Sequence, residues 1–372
     1  MFPFKKIADQ VSRFLVGGLF IFSGLIKLND PVGTKIKMEE YFEVFAQDFG
    51  SFFEFFIPYA LEIGFVLIVL EVVLGIAVLL FYKMDTTSKL LLGLTIFFTF
   101  LTFYSAYFNK VTDCGCFGDA IKLTPWQSFM KDVILLVFVL HLFWYRKTYV
   151  PVLRTLEGHA VIVAVTAMSA FMGIWAIQHL PFIDFRAYRI GNYIPGQMQP
   201  EEQPKFEFIF LDKATGEEIS SDKFLNDTAQ YKYVRARQTN EDKTRPNITD
   251  YAVTSPAGED VTMQTFEGRK LFIVIADVGS ASVKNMDDIR QLTRALEGKI
   301  EMMILTASPE AKFEEFRHEH QIAVPFYFVD ATVLKTMIRS NPGLTIWVDG
   351  TVRGMWHHND IPTAEEILTL TK

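Results

Sequence analysis

The run YALEIGFVLIVLEVVLGIAVLLFY, residues 59–82, holds only two charged side chains, Glu62 and Glu71, among otherwise mostly apolar residues. A helix needs roughly 20 mostly apolar residues to cross about 30 Å of hydrocarbon. The stretch is therefore predicted to be a transmembrane helix. A carboxylate near its middle, at Glu71, is expected to face other helices and not lipid.

Similar apolar runs occupy much of the first half of the chain. With the run just quoted they predict five crossings, the other four being residues 11–28, 90–108, 128–145 and 160–177. The chain is 50% hydrophobic yet 21% charged, and most of the charge follows residue 180. We therefore predict a multi-domain protein, with an all-α helix bundle over residues 1–180 whose partner is the lipid bilayer.

Two function classes are disfavoured by composition. A net charge of −7, with no basic stripe interleaved with aromatic residues, argues against nucleic-acid binding. Two cysteines are too few for a disulfide scaffold. The first apolar run is followed by no small-residue cleavage pattern, so we interpret it as a retained anchor.

The basic residues between the runs predict an orientation. A cytoplasmic N-terminus places eight of them inside, namely Lys5, Lys6, Arg13, Lys83, Lys89, Arg146, Lys147 and Arg154. Five crossings then place the cysteines and everything after residue 180 outside, in the periplasm of a bacterial inner membrane. The segment 38–56 alternates acids with phenylalanines and is predicted to lie along the outer interface or to cap the bundle.

Both cysteines lie in DCGCFGD, residues 113–119. A disulfide needs Cα atoms about 4.4 to 6.8 Å apart, and Gly115 allows the bend that would bring Cys114 and Cys116 within this range. Such a bridge would be strained and easily opened by a thiolate. Reduced structural thiols, a structural disulfide and a metal or cluster site are the alternatives, although two thiolates fall short of the usual four metal ligands and we predict no metal.

Other polar residues of the bundle are candidates for a supporting role. Glu71 should be protonated or paired, which suits either proton handling or a hydrogen-bonded helix contact. Lys27, near the outer end of its helix, could pair with an acid or extend its amine to the interface, and the second is favoured. Asp132 is close to the cysteine loop in sequence, whereas no histidine or lysine flanks that loop directly.

The remaining chain resembles a soluble α/β domain. Residues 181–204, rich in proline and glycine, are predicted to be a linker. Residues 205–372 begin with a hairpin, and residues 250–263 repeat its pattern. Two buried strands alternate with two helices from residue 269, which implies parallel pairing. A third apolar strand, a short helix, a final hairpin and a terminal helix follow.

This order, with Pro342 directly before the strand LTIWV, resembles the thioredoxin-like fold. The resemblance implies a cis proline that faces the reactive cysteines. Residues 279–283 occupy the place of those cysteines and contain none. A periplasmic domain of this kind could not exchange disulfides itself, and we expect it to dock a partner around Pro342.

The membrane half resembles the DoxX and MauE family. The matching stretches are FSGLIKLNDP with Lys27, LEVVLG with Glu71, DCGCFGD, and PWQSFMKDVILL with Trp126 and Asp132. The resemblance implies thiol oxidation, the role associated with MauE, or electron transfer toward a quinone, the role associated with DoxX relatives. Lys27, Glu71, Trp126 and Asp132 thereby become candidate supporting residues.

Three functions remain open. The preferred one is thiol-disulfide exchange at Cys114 and Cys116 with a periplasmic thiol protein, with electrons leaving to a quinone or a second redox protein. The second is a non-enzymatic envelope scaffold that binds another envelope protein. The third is a quinone-linked electron carrier that does not use its thiols. No cofactor is fixed by a motif, and a quinone is the one considered.

Overall fold

The structure is a computed structural model that describes residues 3–111, 115–240 and 244–372. The chain divides into two compact units, the first ending at Arg186 and the second running from Ala187 to Lys372. The first is helical and the second is α/β, as predicted from the sequence. Each is described by itself.

Among its described residues, the first unit consists of six long helices, a long 3-10 segment and the short 3-10 turn Arg146–Thr148. The helices are α1 (Pro3–Asn29), α2 (Pro31–Phe49), α3 (Ala60–Leu79), α4 (Met84–Phe108), α5 (Pro125–Trp144) and α6 (Thr155–Gln178), and the 3-10 segment is Ser51–Tyr59. Among the described residues, five helical segments are long and apolar enough to cross a membrane: Phe4–Asn29, Ser51–Leu79, Met84–Phe108, Pro125–Trp144 and Thr155–Gln178. The five predicted crossings are confirmed at this level.

Helices α1 and α3 approach closely because glycines line their contact. A Cβ built on Gly75 would lie 2.9 Å from the carbonyl oxygen of Gly17, and one built on Gly24 would lie 2.5 Å from Val72 Cγ2. Small residues at a helix interface let the two backbones come together. This contact is the one that carries Glu71 and Lys27, so its closeness decides the geometry described below.

Helix α2 packs against the bundle. Its Tyr41 and Phe45 are buried in a cluster with Leu101, Tyr104 and Val111. The following 3-10 segment leaves phenylalanine side chains exposed, Phe52 and Phe55 among them. Of the two predictions for residues 38–56, the structure favours a packed cap at α2, because one face of this helix is covered by protein.

The second unit contains two sheets. Its strands are β1 (Phe206–Asp212), β2 (Glu218–Ser221), β3 (Tyr231–Gln238), β4 (Arg269–Ile275), β5 (Glu301–Thr306), β6 (Phe326–Phe328), β7 (Gly343–Val348) and β8 (Thr351–His357), and its helices are α7 (Ile194–Gln197), α8 (Met286–Leu296), α9 (Glu310–Glu319), α10 (Ala331–Met337) and α11 (Ala364–Leu370). The larger sheet has the order β6-β5-β4-β7-β8. Strands β4, β5 and β6 are parallel, and β7 and β8 are antiparallel to their neighbours. This arrangement is compatible with a thioredoxin-like domain.

The core of this sheet follows from the apolar strands. All residues of β4 after Arg269 are buried, and α8 covers one face of the strand with Met286, Ile289 and Leu296. A second core forms around Trp347, which packs on Phe272 and Phe266. Because both faces of this central strand are covered, its sequence is almost continuously apolar, and this pattern predicts a buried strand.

Three segments differ from the sequence predictions. The hairpin at the start of the domain gains a third strand, β3, in the order β2-β1-β3. Residues 250–263, predicted to form a second hairpin, turn back on themselves and make the antiparallel bridge Thr254–Asp260, but they form isolated bridges and not two regular strands, and Thr254 also bridges Phe328. In the segment predicted to be a linker, Tyr188 and Ile194 are buried in the second unit. The apolar side chains of this segment pack against the rest of that unit.

Candidate functional site

The described part of the cysteine loop is a tight turn. Gly115 has a φ of +64°, in the left-handed region that favours glycine, and the Gly118 N–H donates to the Gly115 carbonyl at 3.1 Å. Cys116, inside the turn, is partly buried. Cys114 lies outside the described residues, so a Cys114–Cys116 bridge stays a prediction. The bend at Gly115 that such a bridge requires is present.

Ser23 of α1 contacts the loop directly. Its Oγ lies 2.9 Å from the carbonyl oxygen of Cys116 and 3.0 Å from Oε2 of Glu71. The next residue of the loop, Phe117, is buried and packs its ring 5.6 Å from that of Phe22. In its described part, the loop is therefore fixed to α1 by a polar contact at Cys116 and an aromatic contact at Phe117.

Glu71 and Lys27 form a buried ion pair. Lys27 Nζ lies 2.6 Å from Glu71 Oε1, and the two residues are 9% and 2% exposed. The prediction that Glu71 faces the interior and is paired agrees with this. The favoured expectation that Lys27 extends to the interface is wrong, because α1 and α3 are close enough for the amine to reach the carboxylate. Lys27 Nζ also lies 4.9 Å from the centre of the Phe98 ring.

A second polar group lies beside the loop, on α4 and α5. Asp132 is 3% exposed; its Oδ1 is 2.7 Å from Lys131 Nζ and its Oδ2 is 3.0 Å from Thr102 Oγ1. Lys131 Nζ lies 5.2 Å from the centre of the Phe117 ring. Asp132 is thus linked to the cysteine loop through its neighbour Lys131.

Two lysines of other helices lie next to the described part of the loop. Besides Lys131, the side chain of Lys37 on α2 borders Gly115, since a Cβ built there would lie 3.2 Å from Lys37 Cγ. Lys37 Nζ is 3.1 Å from Glu40 Oε2. The expectation of a loop without lysines holds only along the chain, because folding brings two lysines from other helices to it.

The structure places Trp126 elsewhere. Its side chain is 53% exposed and meets the ring of Phe129 edge-on, with centroids 6.0 Å apart. Among the sequence-predicted residues of the bundle, Cys116, Glu71, Lys27 and Asp132 are thus connected through Ser23 and Lys131. Ser23 was missed, although its spacing of four from Lys27 puts both on one face of α1.

A further polar cluster connects α1, α5 and the residues after α5. Asp9 Oδ1 lies 2.9 Å from His141 Nε2 and 2.9 Å from the hydroxyl of Tyr149. Tyr149 stacks on Phe81 with ring centroids 4.6 Å apart. Burial, and then the hydrogen bond to Asp9, raise the pKa of Tyr149 above its usual range, so its hydroxyl stays protonated and donates to the carboxylate.

In the second unit, the Asn341–Pro342 peptide bond is cis. Asn341 Nδ2 donates to the Asp277 carbonyl at 2.7 Å, and the Ser282 N–H donates to the Asn341 carbonyl at 2.8 Å. The segment around residues 277–282, where the thioredoxin-like resemblance would place redox cysteines, is therefore held to Asn341 by hydrogen bonds.

A cleft begins beside this segment, at His358. It has a volume of about 530 Å³ and is lined by side chains of α8 and of the turn that precedes α11, including Asp288, Leu292 and Ile361. His358 Nδ1 lies 3.0 Å from Ser340 Oγ. Burial, and then the charge of Lys284, lower the pKa of His358, so the imidazole at the end of the cleft is neutral at pH 7.

Comparisons with known proteins address the helical half. Residues 5–145 match the family described as methylamine utilisation protein MauE. Protein TlpB of Flavobacterium psychrophilum is 29% identical over 140 residues, which is 36% of this chain and 35% of that protein. The chain thus matches about a third of the length of this relative. The resemblance of the membrane half to MauE is confirmed, and with the five apolar helices it indicates a multi-pass membrane protein.

Proposed function

We propose that this chain, whose residues 5–145 match the MauE family, is a membrane thiol-disulfide redox protein that works through Cys114 and Cys116. The observation that supports this best is the way in which the backbone of Cys116 is held. It lies in a turn bent at a left-handed Gly115, and its backbone is hydrogen bonded to the bundle through Ser23. A bent and anchored Cys-x-Cys loop suits a bridge that closes under strain and opens easily.

The proposed exchange conserves atoms and electrons. A thiolate of the partner attacks one sulfur of the Cys114–Cys116 disulfide; a bond forms between the two proteins and the other cysteine leaves as a thiolate. A second partner thiolate then attacks the mixed disulfide. The partner leaves oxidised, and the loop keeps two electrons as a dithiol, which binds protons as the pH requires.

The electrons need an acceptor outside the polypeptide. The chain has two cysteines, so no second dithiol can receive electrons from the first. We propose a membrane quinone, or a second redox protein, as the two-electron oxidant that restores the disulfide. The partner thiol and the second unit would both lie in the periplasm of a bacterial inner membrane, where disulfides persist.

The second unit is proposed to dock the partner. Its residues 279–283 contain no thiol, and hydrogen bonds close that segment onto Asn341. Pro342 itself is buried, and the cleft that starts at His358 is the open feature that the same unit offers to a partner. A domain with this site and no cysteine can hold a partner without competing for its electrons.

Trapping tests the proposal. In cells, Cys114→Ser and Cys116→Ser each remove one thiol, and the variant that keeps the attacked cysteine should accumulate a mixed disulfide with a partner. The double serine variant is the matched control and should capture nothing. A scaffold or a thiol-independent electron carrier predicts no adduct from either single variant and full function without both cysteines, and that result would refute the proposal.

A further inference from the structure

The Ser23 hydroxyl lies between two acceptors but can donate to only one of them at a time. It has one proton, and two acceptors lie within hydrogen-bond distance: the Cys116 carbonyl at 2.9 Å and Glu71 Oε2 at 3.0 Å. A carbonyl oxygen has no proton of its own to donate. The contact with the loop is therefore a hydrogen bond only when Ser23 gives its proton to Cys116.

The competing acceptor is a carboxylate that already pairs with a cation. Glu71 Oε1 accepts from the Lys27 ammonium at 2.6 Å, which leaves Oε2 and the Cys116 carbonyl as two acceptors at similar distances from Ser23, 3.0 Å and 2.9 Å. From this geometry we infer that Ser23 is a positioning residue of the cysteine loop, and that Glu71 competes with Cys116 for its single proton. The inference rests on the proposed function only for its redox consequence.

The contact matters because of where it is made. The Cys116 carbonyl directly follows Gly115, whose φ of +64° forms the bend in the loop. Holding that carbonyl restricts the backbone on one side of the bend. When Ser23 donates to Glu71 instead, the loop loses this hydrogen bond and can open more often.

The expected size of the effect follows from one hydrogen bond. A net contribution typical of such bonds changes the population of the open loop by about threefold to tenfold. Ser23→Ala should raise the rate at which a maleimide alkylates Cys116 by that factor. Ser23→Thr keeps a hydroxyl and should stay close to wild type.

The direction in which Glu71→Gln changes the alkylation rate of Cys116 decides whether Glu71 competes for the Ser23 proton or only supports the fold. A glutamine can accept from Lys27 through its oxygen and donate through its NH₂ to Ser23, which leaves the Ser23 proton for Cys116. We expect alkylation of Cys116 to slow, by about threefold. If Glu71 only supported the fold, its loss would loosen the loop and speed alkylation.

The experiment uses the full chain in lipid nanodiscs with Cys114→Ser, so that Cys116 is the only thiol and no redox cycling is needed. Ser12→Ala, at another buried serine of α1, is the control and should leave the rate unchanged. Should Glu71→Gln prevent folding, Lys27→Met with Glu71→Gln removes both charges and should also slow alkylation. Equal rates in Ser23→Ala and Ser12→Ala, or faster alkylation in the glutamine variants, would overturn the inference.

A second readout separates this inference from the proposed function. With both cysteines present, Ser23→Ala should lower the equilibrium constant for closing the bridge against glutathione by about threefold to tenfold. A wild-type pair that never closes refutes the redox proposal, while the alkylation rates still decide the role of Ser23. A pair that closes with the same constant in Ser23→Ala and Ser12→Ala refutes the positioning role alone.

Discussion

Replacing Lys27 by methionine should cost far more stability than replacing Lys89 by methionine. The two lysines make ion pairs of the same length, 2.6 Å, with Glu71 and Asp85 respectively. They differ in burial, because the side chains are 10% and 3% exposed in the first pair and 55% and 54% exposed in the second. Leaving a buried charge without its partner costs about 3 to 5 kcal/mol, whereas an exposed pair contributes about 0 to 1 kcal/mol.

The free energy of unfolding can be measured by titrating SDS into mixed micelles of the full chain. Lys27→Met should lower it by about 3 to 5 kcal/mol and Lys89→Met by less than about 1 kcal/mol. The double variant Lys27→Met with Glu71→Met should recover most of the loss, since removing both charges leaves none unpaired. Similar costs for the two single variants, or a double variant no better than Lys27→Met, would refute this account of the pair.

Three further outcomes are expected. Gly75→Ala should destabilise the bundle by about 1 to 3 kcal/mol, because the new Cβ meets the backbone of α1, whereas Gly93→Ala, where a Cβ meets nothing within 4 Å, should be neutral or stabilising. The lowered pKa of His358 means that the unfolded chain binds its proton first as the pH falls below about 6.5. Amide protection of β7 should therefore drop in that range, and less so in His358→Gln. Trp126→Ala should change the alkylation rate of Cys116 by less than about twofold, since an exposed side chain away from the loop contributes little to its stability.

The sequence predicts which segments lie in the membrane, but it does not predict which side chains pair between helices. Hydropathy alone predicts the five apolar helices. The high free-energy cost of placing a carboxylate in lipid predicts that Glu71 faces the interior of the bundle. Lys27 was misjudged because its distance from the end of the helix says nothing about how near α3 lies. That nearness depends on Gly24 and Gly75, whose roles emerge only when the two helices are placed side by side.

The surroundings of the cysteine loop show the same limit. Lys37 and Lys131 reach it from other helices, and a single serine in an apolar run carries no signal until its neighbours are known. In the second unit, β4 and β7 were predictable as continuous apolar runs. Strand β3, whose side chains are mostly exposed, has no such pattern, since its pairing with β1 depends on backbone hydrogen bonds.

The proposed function requires that Cys114 and Cys116 form a bridge that is open to reduction from outside the cell membrane. A membrane-impermeant maleimide, applied to spheroplasts before and after brief treatment with dithiothreitol, measures this directly. We predict no labelling before reduction, two labels after it, and no further gain on permeabilising the membrane. Labelling without reduction, or labelling only after permeabilisation, would contradict the account.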